Sequence, residues 1–479
     1  MKAATIGLGR AAVTLAALSA LTVGATSASA VLDLSDGPTT APEPAAARAV
    51  TSAPVTCAGP ELSGLRDVPD QPQDTSVFAE AAPPAAGGSE VAGAITIQNG
   101  AGAPVSGGRE ATAKAGTPAP VLVSGTDGSA PGLLATQASS SDTKELRGVA
   151  ITGCPGPVAE AWLIAGGGDA GRQERLVLAN PGANEVSVDV DVLGAKGPVA
   201  SDTGRGIVVP GRGRTSVLLD AIAPGEASPV AHVVVRGGAV VAVLADSWLD
   251  GSVPAGFDVV GPVAAPATSA VMPITDLGQA GTLRVAVPGD SEAVVSARLV
   301  GPAGAAPLPG GGVQRIPART SADIPLADIP PGTYAIEVTA DVPVLAAARS
   351  VARAGSAVGD FAWTPATPVL APLSGLPLPP AQGVSRSLGL VSTDGPSEVT
   401  LWVRTGTGTT ERTVALPDDT QVVVDLADAL SVWVGVGAST SVHGAVLTRI
   451  GTGDTRMIAV TPLLGASLDG PAASARPMP

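Results

Sequence analysis

The chain has 479 residues and a formal net charge of −15 at pH 7, with 61 Gly and 45 Pro but only 5 Trp, 3 Phe, 1 Tyr, 2 His and 2 Cys. At roughly 100–200 residues per domain this is two to four domains, with cores packed mainly from Ala, Val and Leu. Two His and two Cys supply no Cys/His zinc cluster unless all four are used, and the acidic balance excludes a phosphate-gripping surface, so no nucleic-acid partner is expected.

Lys2 and Arg10 precede an uncharged run, Ala11 to Thr26, which ends in Ala28-Ser29-Ala30. Small residues at the −3 and −1 positions of a cut before Val31 mark residues 1–30 as an export signal, with an uncleaved anchor as the alternative. The run is short and Ala-rich for a membrane span, which takes ~20 strongly apolar residues. No later segment is long and apolar enough to span a bilayer, so any membrane contact is expected through the N-terminal segment alone. Residues 31–54 read as a disordered linker, rich in Ala, Pro and Thr without periodicity.

Residues 55–158 carry candidate strands such as VAGAITIQ and APVLVSG and read as a divergent N-terminal β module, the alternative being a partly ordered stalk. Cys57 in VTCAGP and Cys154 in ITGCPGP open near-identical turns. In an oxidising compartment an even pair reads as one disulfide, and closing a loop of about 98 residues contributes ~4–5 kcal/mol in the chain-entropy model. Two free thiols are the alternative.

Beyond Cys154 the chain repeats itself. LVLANPGANEVSVDVDVLGAKG from Leu176 returns as LRVAVPGDSEAVVSARLVGPAG from Leu283 and, more weakly, as LGLVSTDGPSEVTLWVRTGTG from Leu388. The turn glycines Gly182, Gly289 and Gly395 keep near-constant spacing, as do LDAI from Leu219, LADI from Leu326 and LADA from Leu426. Such ordered anchors mark tandem copies, here over 159–262, 270–363 and 370–466, with a disordered tail from 467 to 479. Within them Val186, Val188, Val190 and Val192 alternate with Ser187, Asp189 and Asp191, the period of a half-buried strand. About 100 residues of short strands and Gly/Pro turns predict an all-β architecture of tandem immunoglobulin-like or fibronectin-like β-sandwiches. The Pro-rich joints Gly261 to Pro273 and Thr364 to Gly383 read as semi-rigid spacers, which predicts an elongated particle.

Candidate chemistry is sparse. There is no Gly-x-Ser-x-Gly elbow, and His232 and His443 both read as half-buried strand residues without a nucleophile nearby. Asp189 with Asp191, and Asp418 with Asp419, are carboxylate pairs, but no Asp-x-Asp-x-Asp-Gly calcium loop surrounds them, so a solvated face or turn is the reading. Gly310-Gly311-Gly312 reads as a turn. No cofactor and no metal site is expected. Arg205, Arg212 and Arg214 are a candidate anion-contact rim, or a solubilising hairpin edge. Trp162 reads as core or joint packing. In VTLWVR, Val399, Leu401 and Val403 take the inward phase, which turns Trp402 outward beside Arg404. In SVWVGV, Val432, Val434 and Val436 turn Trp433 outward in the same way. Trp402, Trp433 and Arg404 are therefore the candidate ligand or partner face, of the kind that stacks on sugar rings or anchors a protein, unless a neighbouring domain covers them.

The segment Gly153 to Val199, with its Cys-Pro turn, the Trp162-led Gly-rich stretch and the Leu-Ala-Asn-Pro-Gly strand-turn, resembles an uncharacterised family of exported actinobacterial proteins. Arg in preference to Lys (23 to 4) fits a GC-rich genome of that kind. The resemblance implies an envelope or extracellular address and carries over no catalytic residue. Together these readings predict a secreted, non-enzymatic structural or interaction protein of the cell envelope, its partner an envelope protein or a surface glycan. The alternative is a carbohydrate-binding accessory protein using the Trp402/Trp433 face.

Overall fold

The computed structural model describes residues 48–470 apart from 66, 279, 311, 312, 381 and 439. The expected export signal, residues 31–47 of the expected linker, the tail from 471, and Gly311 and Gly312 of the glycine run lie outside the described residues.

Alternation of small aliphatic residues does what the sequence predicts. Val186, Val188, Val190 and Val192 are at most 5% exposed and share one strand, Val186–Gly194. No α-helix occurs among the described residues, and the fold is all-β, built from tandem sandwiches. The N-terminal module shows the plan: β1 (Ser52–Cys57), β2 (Asp74–Glu80), β3 (Gly93–Asn99), β4 (Val105–Gly107), β5 (Glu110–Lys114), β6 (Val121–Asp127), β7 (Leu134–Asp142) and β8 (Arg147–Gly153). Its sheets run β1-β6-β3-β4 and β5-β2-β7-β8, all antiparallel. The Cys57–Cys154 disulfide ties the end of β1 in one sheet to the exit of β8 in the other, with a Cα–Cα distance of 4.7 Å.

The same order recurs three times. In the second sandwich Glu160–Ile164, Val230–Arg236, Val186–Gly194 and Gly197–Val199 form the first sheet, with an added short strand, Ile207–Val209, beside Val186–Gly194 that is not counted in the shared plan. Arg214–Leu218, Arg172–Ala179, Val241–Asp250 and Val253–Val260 form the second. The third follows suit, except that its sixth and seventh strands merge into one of 21 residues, Gly332–Ala352, which serves both sheets. The fourth repeats the plan from Leu373–Pro377 to Met457–Pro462. The module that reads as divergent in sequence is thus a copy of the other three in strand order.

The sandwiches are not strung out. Residues 49–470 form one compact unit, so within it the sandwiches pack on one another where spacers between them were expected. The physical reason is that the second sheets are apolar on both faces. Val177, Ala179, Val241 and Val243 of the second sandwich, at most 2% exposed, pack outward against Leu62 of the first. Nor are the Pro-rich joints spacers: Leu373–Pro377, inside one of them, is a buried strand. The last strands of the four sandwiches close a cycle. Val253–Val260 packs on β8 and on Asp360–Pro365, which packs on Met457–Pro462, which returns to β8.

One carboxylate occupies the centre of that cycle. Asp360, fully buried, accepts from Val149 N (3.3 Å), Phe257 N (3.3 Å) and Ile458 N (3.0 Å), one donor from each of the other three last strands. Glycine makes room for it. A Cβ on Gly148 or Gly256 would lie 2.6 or 2.7 Å from Asp360 Oδ1, and both hold positive φ, +151° and +124°.

Candidate functional site

The strand phase predicted for the fourth sandwich holds: Val399, Leu401 and Val403 are at most 9% exposed and face its core. Trp402 and Trp433 lie on the other face, paired across adjacent strands. That face is not open to a ligand. Trp433 is fully buried against Ala82, Ala86 and Leu134 of the first sandwich and Leu373 of its own, and Trp402 is half-buried at the edge of the same cluster. The expected aromatic platform is therefore a seam, because alternation reports which side of its own sheet a residue takes and not what another sheet lays upon it. Two glycines form the cradle. A Cβ at Gly375 would meet the Trp433 ring at 2.6 Å, and one at Gly435 would meet Trp402 at 2.9 Å.

The polar groups of the seam are interlocked. Arg404 Nε donates to Glu80 Oε1 at 2.7 Å, and Nη2 donates to Glu80 Oε2 at 2.8 Å and to Glu110 Oε2 at 2.5 Å. Ser431 Oγ donates to Glu80 Oε1 (2.9 Å) and accepts from Trp433 Nε1 (3.2 Å), while Trp402 Nε1 donates to Glu411 (2.8 Å). Burial pushes the Glu80 carboxyl up despite the guanidinium beside it. Beside this triad lies a cleft of about 460 Å³ between Phe78, Glu110 and Thr112 of the first sandwich and Leu378, Pro380 and Arg404 of the fourth.

The three arginines of the expected anion rim do not converge. Arg205 pairs with Asp191. Arg212 holds a turn with φ +52°, its N–H on Gly182 O at 2.7 Å. Arg214 turns under the first sandwich, donating to Ala58 O (3.1 Å) and Ser63 O (2.5 Å), and burial pushes it down to about 10. Asp189 is held low by the Gly206 N–H at 2.9 Å and pairs with Arg236, and Asp419 pairs with Arg298 at 2.6 Å. His232 stacks on Trp162 with ring centroids 3.9 Å apart and meets Glu160 at 2.8 Å. His443 is buried, which pushes it down, and its Nδ1 lies 3.0 Å from Thr367 O. Neither histidine faces a pair of carboxylates in these contacts. Among the described residues no group of three or more His, Cys, Asp or Glu is arranged to hold a metal.

Sequence reasoning missed a second buried cluster, between the second and third sandwiches. Arg172 donates to Asp246 twice (2.8 and 2.5 Å), and Asp246 also accepts from Trp363 Nε1 (2.8 Å) and Gly166 N (3.0 Å). Burial and the nearby Asp246 charge push Glu174 up to about 7, while Arg172 keeps Asp246 low in spite of its burial. Arg284 reaches across to the carbonyls of Ala165, Gly166, Ala227 and Pro229 and pairs with Asp323 at 2.7 Å. The signal was present: Arg172, Glu174 and Asp246 interrupt the apolar phase of their strands.

A family model described as a family of unknown function (DUF5719) matches residues 108–427, from just before β5 to the fourth sandwich. No curated protein matches the chain.

Proposed function

The chain belongs to this family of unknown function, and from that premise we propose that it is an exported, non-enzymatic structural or interaction protein of the bacterial cell envelope, of actinobacterial type. One observation carries the reading. Glu80 pairs with Arg404, and Arg284 binds backbone carbonyls, across seams between sandwiches, while Arg172 and Asp246 pair within the second sandwich and Asp246 also accepts from Trp363 Nε1 of the third. Groups held in this way fix the relative position of domains, and each is committed to a partner within the protein. The N-terminal signal pattern and the disulfide both suit an oxidising, extracytoplasmic compartment. With the indoles of Trp402 and Trp433 in a seam, the partner is an envelope protein in preference to a glycan stacked on that face, and the acidic balance disfavours nucleic acid.

Fractionation of cells producing the full chain with a C-terminal epitope tests the reading. The tagged protein is expected outside the cytoplasm, digestible by protease added to intact cells, with Cys57 and Cys154 oxidised on a non-reducing gel. A cytoplasmic, reduced protein would sink it.

A further inference from the structure

The four seams share one device, and in one of them it is left open. In each, the head of the fifth strand of a sandwich is tied to the preceding sandwich. Arg214 donates to Ala58 O and Ser63 O, Ser321 Oγ to Ser228 O (2.5 Å), and Gln421 Nε2 to Pro273 O (2.8 Å). Ser321 and Gln421 are 3% and 1% exposed, so those strand heads are plugged. The corresponding tie in the closing seam is Glu110 to Arg404, yet the Glu110 side chain is 63% exposed and the 460 Å³ cleft opens beside it.

β5, which forms the wall of that cleft, is an edge strand, bonded only to β2. Its ladder phase follows from Ala81 N on Arg109 O and Ala115 N on Thr75 O. These fix the odd-numbered residues of β5 as the ones bonded to β2, so Thr112 and Lys114 aim their N–H and C=O outward. Among the described residues no backbone group pairs with them there. From the fourth sandwich Leu378 and Pro380 line the cleft beside Arg404, and from the first Phe78 lines it. Arg404 gives two bonds to the buried Glu80 and reaches Glu110 only at Oε2, so the exposed Glu110 carboxylate has room for a second cation.

We infer that this cleft is a peptide-docking groove: an extended segment of a partner protein, carrying a basic residue for Glu110, adds as a strand to the free edge of β5. Main-chain bonds to Thr112 and Lys114 supply affinity, and alternate side chains enter between Phe78 and Leu378. The inference names the partner chemistry for the interaction role proposed above and rests on that reading.

The probe is a phage-displayed library of random linear twelve-residue peptides, selected on the full-length, oxidised protein. Enriched peptides are expected to be Pro-poor and β-branched with Lys or Arg, and to bind Thr112→Pro about tenfold more weakly or not at all. Proline there removes only an outward N–H and is tolerated at an edge. Thr112→Val should bind as wild type, since only the backbone is read, and Glu110→Gln should weaken binding and reduce its salt dependence. Unchanged melting of Thr112→Pro verifies its fold; should it melt lower, Lys114→Pro provides the same reading two residues on. No enrichment, equal binding by a folded proline variant, or a self-association that the proline abolishes would each overturn the groove. Cleavage of a bound peptide would instead overturn the non-enzymatic reading and leave the strand pairing standing.

Discussion

Asp360 is a single side chain on which all four sandwiches depend. Its carboxylate satisfies three backbone donors that belong to three other strands, and no second carboxylate stands at the equivalent places, which are Gly148, Gly256 and Met457. Asp360→Ala would strand those donors away from water, at ~1–3 kcal/mol for each left unsatisfied, so a loss of about 4 kcal/mol in urea unfolding is expected. Asp258 makes a different prediction, about pH. Burial pushes its carboxyl from 3.8 to about 8, against the N–H groups of Trp363 (2.6 Å) and Val259 (2.8 Å). Between those two values the folded chain holds a proton that the unfolded chain has released. Stability therefore falls as pH rises through that window, by at most ~1.4 kcal/mol per unit for one group, and levels off above it. Glu61, Glu80, Glu174 and Asp360, also raised, slope the same way. The urea midpoint should be higher at pH 5.5 than at pH 8, and Asp258→Asn should flatten the difference. A midpoint that rises with pH would refute the assignment.

At the scale of the element, the strand Ala429–Val436 shows what sequence can and cannot tell. Its alternation assigned Val432 and Val434 to the core, and both are fully buried there. It also set Trp433 on the opposite face, correctly, but the burial of that face comes from Ala82, Ala86 and Leu134, some 300 positions away, and no local pattern encodes that. The seam glycines were equally mute: Gly375 and Gly435 sit in strands for which any small residue satisfies the period, and only the indoles lying on them demand glycine. Trp433→Ala should cost about 3–5 kcal/mol as a core truncation, where an exposed platform residue would cost little. Gly375→Ala, forcing a methyl to 2.6 Å from the ring, should cost ~1–3 kcal/mol by overpacking. Thermal melts of the two variants decide between seam and surface.

Across the whole molecule, the repeat was legible from Leu176 onward because its turns keep glycine at near-constant spacing. The first sandwich escaped because Ala and Thr fill many of its apolar positions and the segment between β1 and β2 is long. Its matching strand order, β1-β6-β3-β4 over β5-β2-β7-β8, emerges only from pairings that the alternation leaves unspecified. Closure has a thermodynamic consequence. The core of the second sandwich contains Ala286, Leu345, Ala347, Phe361 and Trp363 of the third, a 21-residue strand serves both sheets of the third, and the first covers Trp433 of the fourth. Unfolding any one sandwich would therefore bare apolar surface and orphan buried polar groups on its neighbours, so the four should melt as one unit although chains of this length commonly melt in stages. The five tryptophans lie in the second, third and fourth sandwiches, at 162, 248, 363, 402 and 433, whereas far-ultraviolet circular dichroism reports strands in all four. Urea curves followed by the two signals should coincide. Reducing Cys57–Cys154 should lower their common midpoint by the equivalent of ~4–5 kcal/mol without separating them, since the bridge acts on the unfolded chain and the seams hold the folded one. Dichroism that falls before the fluorescence would mean that the first sandwich unfolds alone, and that the seam around Glu80 and Trp433 is too weak to couple it to the rest.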